Sequence, residues 1–188
     1  MLPHRGRRLP QPFDRIVAAV EGAVRGEAHF IGVTTVVAKL FNMVQPSIAY
    51  FGQKDAQQAV VVQRMVRDLD FPIRVEVCET VREPDGLAMS SRNVRLDAES
   101  RRRATALIKG LSVARDAIAH GERSADVVTR RAGDRMRELG VTPEYHEIVS
   151  AEDFTALDAV DRRAIIAVAA RVGGVRLIDN VVVEPPRS

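Results

Sequence analysis

The apolar positions in the first half of the chain predict two helices that alternate with two strands. The first helix places six apolar residues on one face: Val33, Val36, Val37, Leu40, Phe41 and Val44. Pro46 ends this helix, and residues 48–51 form a short, wholly apolar strand. A second helix opens at Asp55, and residues 73–77 alternate as a strand after Pro72. This order with short links predicts a parallel sheet covered by helices, whose strands end at one edge.

The pattern changes near Leu96, where two helices precede three strands. Asp97 is predicted to cap a helix that runs to about His120. Ser124 begins another helix, which ends near Gly140. The chain then favours strands over three ranges: residues 142–149, 164–171 and 175–183. We therefore expect a second, smaller unit of α+β type after Leu96.

Composition narrows the class of protein without indicating an activity. The chain has 188 residues, 46% of them hydrophobic, which is enough for one ordinary domain or two small ones. Its net charge of +3 is too small to indicate a nucleic-acid partner. Cys78 is the single cysteine, which excludes an intrachain disulfide, and the longest apolar run, residues 164–170, is too short to span a membrane. These features favour a soluble protein of a reducing compartment.

Residues 51–58, the glycine–lysine segment, join the end of a strand to the start of a helix. Gly52 permits close approach of a ligand to the backbone, and Lys54 adds a positive charge. The unpaired amides at a helix N-terminus also attract an anion, so the segment favours phosphate binding. A structural interpretation remains open, because Asp55 and Gln58 have the spacing of a helix-capping box.

Residues 80–93, the serine segment, form a glycine-bearing loop after the second predicted strand. The hydroxyls of Ser90 and Ser91 and the guanidinium of Arg92 can donate hydrogen bonds to phosphate oxygens. The alternative interpretation is a polar surface loop in which a serine caps a turn. Because both segments follow strands of the same predicted sheet, we expect them to meet in one crevice and to clamp a triphosphate.

Four stretches of the sequence resemble one known family, in the same order along the chain. They are residues 29–40 (HFIGVTTVVAKL), 51–58 (FGQKDAQQ), 80–93 (TVREPDGLAMSSRN) and 171–180 (RVGGVRLIDN). Together they resemble the pantoate–β-alanine ligases, over about residues 29–183. The serine segment is also similar to the phosphate loop of the wider nucleotidylyltransferase superfamily.

The resemblance implies an ATP-dependent, AMP-forming ligation of an acid to an amino acid. Pantoate and ATP, accompanied by Mg²⁺, would form an enzyme-bound pantoyl adenylate and pyrophosphate. The amine of β-alanine would then attack the adenylate carbonyl and release pantothenate and AMP. By the same resemblance, Gln58 would hold pantoate, and the catalytic residues Lys54 and Arg92 would offset negative charge as pyrophosphate leaves. The residues implied to contact ATP are Gly52, Gln53, Lys54, Asp55, Val81, Met89, Ser90, Ser91 and Arg92.

The resemblance also implies an α/β fold built on an N-terminally truncated, Rossmann-like nucleotide-binding domain. Residues 1–28 would form an irregular lead, residues 29–96 the second half of that domain, and residues 97–188 a small α+β domain. The family's His-x-Gly-His loop and its second pantoate-binding glutamine have no counterpart in this sequence, and Ala56 stands where the family usually has tyrosine. We therefore expect these 188 residues alone to make no pantothenate. We further expect a cytoplasmic homodimer with neither a nucleic-acid nor a membrane partner, and the residues that would hold the metal are not identified from the sequence.

Three other functions fit parts of the sequence. The chain can be a non-catalytic fragment, or a dimerisation or regulatory partner of a complete synthetase. It can also be a different adenylyl-transferring enzyme with the same loops. A module that binds nucleic acid through Arg101, Arg102 and Arg103 would show salt-sensitive binding. That last function leaves both segments unexplained, so we expect these arginines to form a solvated helix face.

Overall fold

The first half of the chain folds as helices that alternate with two strands. The computed structural model describes residue 16, residues 19–21 and residues 26–186, so the predicted irregular lead lies largely outside the described residues. α1 begins well before Val33, the first residue of the predicted apolar stripe. The elements, in chain order, are α1 (Glu27–Val44), β1 (Ile48–Gly52), a short 3-10 helix (Gln53–Asp55), α2 (Ala56–Asp68) and β2 (Arg74–Cys78).

β1 and β2 pair in parallel, which confirms the predicted arrangement of these strands. Ile48 lies opposite Arg74, and Gly52 lies opposite Cys78, so both strands end at the same edge. The glycine–lysine segment and the serine segment leave from this edge, because each follows one of the two strands. Strand polarity thus brings together the two segments that the sequence singled out.

The second half contains helices followed by three strands, as predicted, and these strands form an antiparallel sheet. Its strand order is β3-β4-β5. Gly173 and Gly174 have positive φ values of 55° and 76°, as the tight two-residue turn between β4 and β5 requires. After a second 3-10 helix (Ser91–Arg95), the elements are α3 (Ala98–Ala104), α4 (Ala106–Ala119), α5 (Ala125–Glu138), β3 (Pro143–Ser150), β4 (Ala164–Val172) and β5 (Val175–Val183).

The prediction of one continuous helix from Asp97 to His120 is wrong. Asp97 does cap a helix, because its Oδ1 accepts a hydrogen bond from the Ser100 amide at 2.7 Å. α3 nevertheless ends before Thr105, whose hydroxyl donates to the Arg102 carbonyl at 2.8 Å. Such a local side-chain bond competes with the regular helical pattern. Apolar periodicity does not carry this signal, so the sequence pattern missed the break.

β4 is the central strand of the small sheet and is buried on both faces. Ile166 and Val168 belong to the hydrophobic cluster that includes α4 and α5. Ile165 and Ala167 belong to a second cluster that includes residues of α2. Because successive side chains of a strand point to opposite faces, this double burial explains the unbroken apolar run at residues 164–170. The two halves of the chain therefore share a core.

α1 leaves much of its predicted apolar stripe uncovered. Phe41 is buried and Val37 packs against the same cluster, whereas Val36, Leu40 and Val44 are 57%, 47% and 69% exposed. The spacing correctly predicted one helix, but periodicity alone does not show what covers a helix face. In the described part of the chain, no helix combines the length and the apolarity that a membrane crossing needs.

Candidate functional site

The glycine–lysine segment folds as a tight turn that is hydrogen-bonded to β5. The 3-10 helix after Gly52 leads directly into α2. The amide nitrogen of the Asn180 side chain donates to the carbonyls of Gln53 and Lys54, at 2.9 and 3.0 Å. The side-chain amide of Gln53 donates in return to Oδ1 of Asn180 at 3.0 Å. These bonds fix the backbone that carries Lys54.

The alternative interpretation of Asp55 and Gln58 as a capping box is wrong. Among the described residues, the Asp55 carboxylate accepts no capping hydrogen bond at the start of α2. The preceding 3-10 turn gives Asp55 a φ of −97° and a ψ of 57°, away from the extended conformation that a capping residue usually adopts. Asp55 is exposed, so its carboxylate is accessible to a ligand.

The serine segment begins with a small hairpin. Arg82 and Ala88 form an antiparallel bridge, and the Met89 amide donates to the Val81 carbonyl at 2.9 Å. Gly86 has a φ of +88°, a conformation that residues with a Cβ rarely adopt, so the turn depends on this glycine. Val81 and Met89 flank the hairpin, and both side chains are exposed.

Ser90 caps the 3-10 turn that carries Arg92. Its Oγ accepts a hydrogen bond from the Arg92 amide at 3.2 Å. Ser91 is exposed, whereas Asn93 is buried and donates through Nδ2 to Oε1 of Glu83 at 2.8 Å. The capping interpretation of Ser90 is therefore correct for its geometry. The hydroxyl hydrogen of Ser90 can still be donated to a ligand, because a hydroxyl both accepts and donates.

Arg101 joins the hairpin to α3, which corrects the expectation that it belongs to a solvated face. Its guanidinium pairs with Glu83 at 2.8 Å and with Asp85 at 2.9 Å, and its side chain is 28% exposed. Hydrogen bonds from Arg101 hold the pKa of both carboxyls below their usual range. Arg102 and Arg103 are exposed, as expected.

Arg82 joins the same hairpin to β5. Its guanidinium donates to both oxygens of the Asp179 carboxylate, at 2.7 and 3.0 Å, and to the Gly86 carbonyl at 3.0 Å. The Asp179 side chain is only 2% exposed, so this bidentate ion pair is largely shielded from water. A buried carboxylate of this kind requires a partner, because an unpaired charge is costly in the protein interior.

Another ion-pair group joins residues 19–21 to the small sheet. Arg176 pairs with Glu21 at 2.7 Å and with Glu144 at 2.6 Å. The Tyr145 hydroxyl donates to Glu21 at 2.8 Å. Burial, with a further contribution from the Glu21 carboxylate, raises the pKa of Tyr145. This tyrosine is therefore a neutral hydrogen-bond donor, and it lines the cavity that Gln58 also lines.

The structure brings the two segments to one crevice. Lys54, Ser90 and Arg92 line it together, and Asp179 forms part of its wall. Arg176 also lines the crevice, but it is paired with Glu21 and Glu144. The positive charges of Lys54 and Arg92, with the hydroxyl of Ser90, suit an anionic ligand such as a phosphate.

A second cavity adjoins this crevice. Asp55 and Gln58 line it, together with His29 and with Asp179 and Asn180 of β5. The remaining candidate contact residues lie outside the linings of both spaces: Gly52, Gln53, Val81, Met89 and Ser91.

Residues 10–182 match the family model described as pantoate-beta-alanine ligase. The chain belongs to this family. Similar proteins include the pantothenate synthetases of Roseiflexus castenholzii, 48% identical over 172 residues, and of Moorella thermoacetica, 53% identical over 160 residues. These matches cover 90% and 83% of this chain but 61% and 56% of the relatives. The chain thus spans less than two thirds of the length of either relative.

Solved structures of the ligase family share this fold. The chain matches the pantothenate synthetase from Thermus thermophilus with a TM-score of 0.84 and 43% identity, over 93% of this chain and 62% of that protein. It matches the pantoate-beta-alanine ligase from Francisella tularensis, complexed with beta-gamma ATP and beta-alanine, with a TM-score of 0.66 and 27% identity. That match covers 97% of this chain and 57% of the Francisella protein. These likenesses confirm the expected α/β fold.

Four residues that fix the candidate site of this ligase-family chain escaped prediction: Arg82, Arg101, Asp179 and Asn180. Asp179 and Asn180 did leave a signal, because they are two polar residues inside an otherwise apolar strand pattern. Arg82 left none, since its partner Asp179 lies 97 positions away in the sequence.

Proposed function

We propose that this protein is a pantothenate synthetase, which condenses pantoate with β-alanine through a pantoyl adenylate. The crevice lined by Lys54, Ser90 and Arg92, in a chain of the pantoate–β-alanine ligase family, is the observation that carries the proposal. The complex of the Francisella relative with beta-gamma ATP and beta-alanine supports ATP and β-alanine as substrates. These residues supply part of the site, because the chain spans 61% of the Roseiflexus relative.

In the first step, the pantoate carboxylate attacks the α-phosphorus of ATP. A new P–O bond forms, and the bond from the α-phosphorus to the bridging oxygen breaks, so that pyrophosphate leaves. Lys54 and Arg92 are the catalytic residues, since their positive charges stabilise the charge that develops on the leaving group. Seven further residues provide the other ATP contacts: Gly52, Gln53, Asp55, Val81, Met89, Ser90 and Ser91.

In the second step, the amine of β-alanine attacks the carbonyl carbon of the adenylate. A C–N bond forms, the C–O bond to the phosphate breaks, and AMP leaves with pantothenate. Catalysis rests on alignment of the reactants, since no covalent protein intermediate is involved. We assign Gln58 to pantoate because it lines the cavity that adjoins the crevice, where the buried Ala56 also forms part of the wall.

The proposal includes Mg²⁺, a homodimer and a cytoplasmic location, and neither a nucleic-acid nor a membrane partner. Mg²⁺ enters with the ATP phosphates, which commonly bind it together with one or two carboxylates. The described residues contain no group of three candidate ligands, so we assign no protein ligand to it. Exposed apolar residues of α1, including Val36 and Met43, support contact with a second copy. The exposed thiol of Cys78 fits a reducing compartment.

Pantothenate formation tests the proposal. The chain is assayed with ATP, Mg²⁺, pantoate and β-alanine, first alone and then with a polypeptide that supplies the rest of the Roseiflexus synthetase. We expect no pantothenate above background from the chain alone, and turnover after complementation. In the complemented system, Lys54→Ala should slow pyrophosphate release by about 100-fold or more, the scale of losing one charge-stabilising donor. Lys109→Ala, at an exposed position of α4, should not.

Each outcome of this assay separates one hypothesis from the others. A normal rate of pyrophosphate release by Lys54→Ala would remove Lys54 from the chemistry. No turnover after complementation, together with tight binding of the chain to a complete synthetase, would favour the role of a regulatory partner. Turnover by the chain alone, with host enzyme excluded, would show that the family's histidine loop is not required.

A further inference from the structure

Two adjacent residues of β5 contact both segments that line the crevice. Asn180 binds the backbone of the glycine–lysine segment, and Asp179 binds Arg82 at the base of the hairpin. We propose that Asp179 and Asn180 are positioning residues that hold the two segments in a fixed position relative to each other. The inference rests on the proposed ATP site, and it assigns to these two residues no contact with the reacting atoms.

The contacts of Asn180 require an amide. Its side chain is buried, its nitrogen donates to two successive carbonyls, and its oxygen accepts from Gln53. A carboxylate at this position would place an acceptor oxygen against the carbonyl oxygens of Gln53 and Lys54, because an ionised carboxylate donates no hydrogen bond. The backbone that carries Lys54 therefore depends on the donor at Asn180.

The contacts of Asp179 require a negative charge. Both carboxylate oxygens accept from the Arg82 guanidinium, which also donates to the Gly86 carbonyl in the turn of the hairpin. Oδ1 of Asp179 also accepts from the backbone N–H of Asn180 at 2.8 Å, so this oxygen has two donors. Removing the charge would leave the Arg82 guanidinium without its ion-pair partner at β5.

β5 carries both contacts and is paired along its length with β4. Asp179 lies opposite Val168 and Asn180 opposite Ala167 on β4, which is buried on both faces. Neighbouring residues of a strand send their side chains to opposite faces, so adjacent positions can each reach a different segment. Alignment matters in such a site, because a misplacement of about 1 Å can cost on the order of 100-fold in rate.

Two near-isosteric substitutions in the chain test the inference. Asn180→Asp replaces the donor by an acceptor, and Asp179→Asn removes the charge that pairs with Arg82. Amide hydrogen exchange is measured without ligand over residues 52–56 and 80–93, and ATP affinity is measured by calorimetry in the presence of Mg²⁺. The matched controls are the same chemical changes at exposed positions of α1 and α5: Asn42→Asp and Asp134→Asn.

Each substitution should speed exchange about tenfold in the segment that it contacts, while β3 and β4 exchange as before. ATP binding should weaken about tenfold in both variants, although Lys54 and Arg92 are intact, and the controls should change neither quantity. A merely structural role would speed exchange throughout the small sheet. The inference is overturned if both segments keep their exchange rates, or if they loosen and ATP binds as tightly as before.

Two milder variants provide the same test if Asn180→Asp or Asp179→Asn prevents folding. Gln53→Ala removes one bond to Asn180, and Arg82→Lys keeps the charge but loses the planar fork. Each should loosen its own segment, and unchanged exchange in both would overturn the inference. A wild-type chain that binds no ATP would refute the proposed ATP site, whereas the ligand-free exchange data decide separately whether β5 holds both segments.

Discussion

Gly110→Ala should destabilise the protein by disturbing the contact between α4 and α5. A Cβ at Gly110 would overlap the Met136 side chain and lie 3.0 Å from the carbonyl oxygen of Ala132. Overpacking of this kind costs about 1–3 kcal/mol. Alanine favours a helix interior over glycine by about 1 kcal/mol. Because the Ala132 backbone cannot move aside as a side chain can, we expect an overpacking cost in the upper part of this range, about 2–3 kcal/mol, and so a net loss of about 1–2 kcal/mol in the free energy of unfolding.

Gly133→Ala is the matched control on the facing helix. The nearest neighbour of a Cβ at Gly133 is the Arg137 guanidinium, at 3.2 Å, and this flexible side chain can move. The substitution should therefore stabilise the protein by up to about 1 kcal/mol. Urea unfolding followed by circular dichroism gives both free energies from the midpoint and the slope. If Gly110→Ala is as stable as the wild type, the reasoning about close packing at this contact is refuted.

Four further predictions concern the serine segment and the pH dependence of stability. Arg101→Met should speed hydrogen exchange over residues 80–93 several-fold, because it removes the ion pairs to the hairpin. In the wild type, ATP with Mg²⁺ should slow exchange over the same residues. No protection at saturating ATP would favour a simple surface loop. Arg92→Lys should weaken ATP binding in calorimetry, since an ammonium does not match the guanidinium fork, and equal affinity would contradict this role. Burial lowers the pKa of His146 to about 4 from the ordinary 6.5, so between these values only the unfolded chain takes up the proton as pH falls. The free energy of unfolding should drop by at most about 3 kcal/mol over this window. His146→Gln should remove this drop in urea titrations, and the exposed His120→Gln should retain it.

The sequence predicted the elements of the fold best where the pattern of apolar residues directly reflects which faces of an element are buried. The run at residues 164–170 reads as a strand because β4 is covered on both faces. The pattern failed at Thr105, where a side-chain hydrogen bond to the preceding turn interrupts a region with continuous helical periodicity. Along α1 it predicted the helix but not its partial exposure, because a residue such as Val44 carries no information about its neighbours in space.

The sequence predicted the two segments of the candidate site but not what holds them. The glycine–lysine segment and the serine segment each begin after a strand, and parallel pairing of those strands starts both segments at one edge. The ion pair between Arg82 and Asp179 joins distant parts of the chain, and no local spacing encodes such a contact. The roles assigned to the candidate residues, including Gln58, remain predictions for the assays above.

The contacts between the two halves bear on the domain boundary predicted near Leu96. That boundary remains a prediction, but Asp179 and Asn180 belong to the second half and bind segments of the first. A cut at this boundary would separate the buried Asp179 carboxylate from Arg82, and loss of one partner leaves an uncompensated buried charge. It would also expose the apolar residues of α2 that pack against β4. We therefore infer that the second half supports the proposed ATP site as a structural frame, and we expect changes in β5 to affect nucleotide binding without direct contact with the nucleotide.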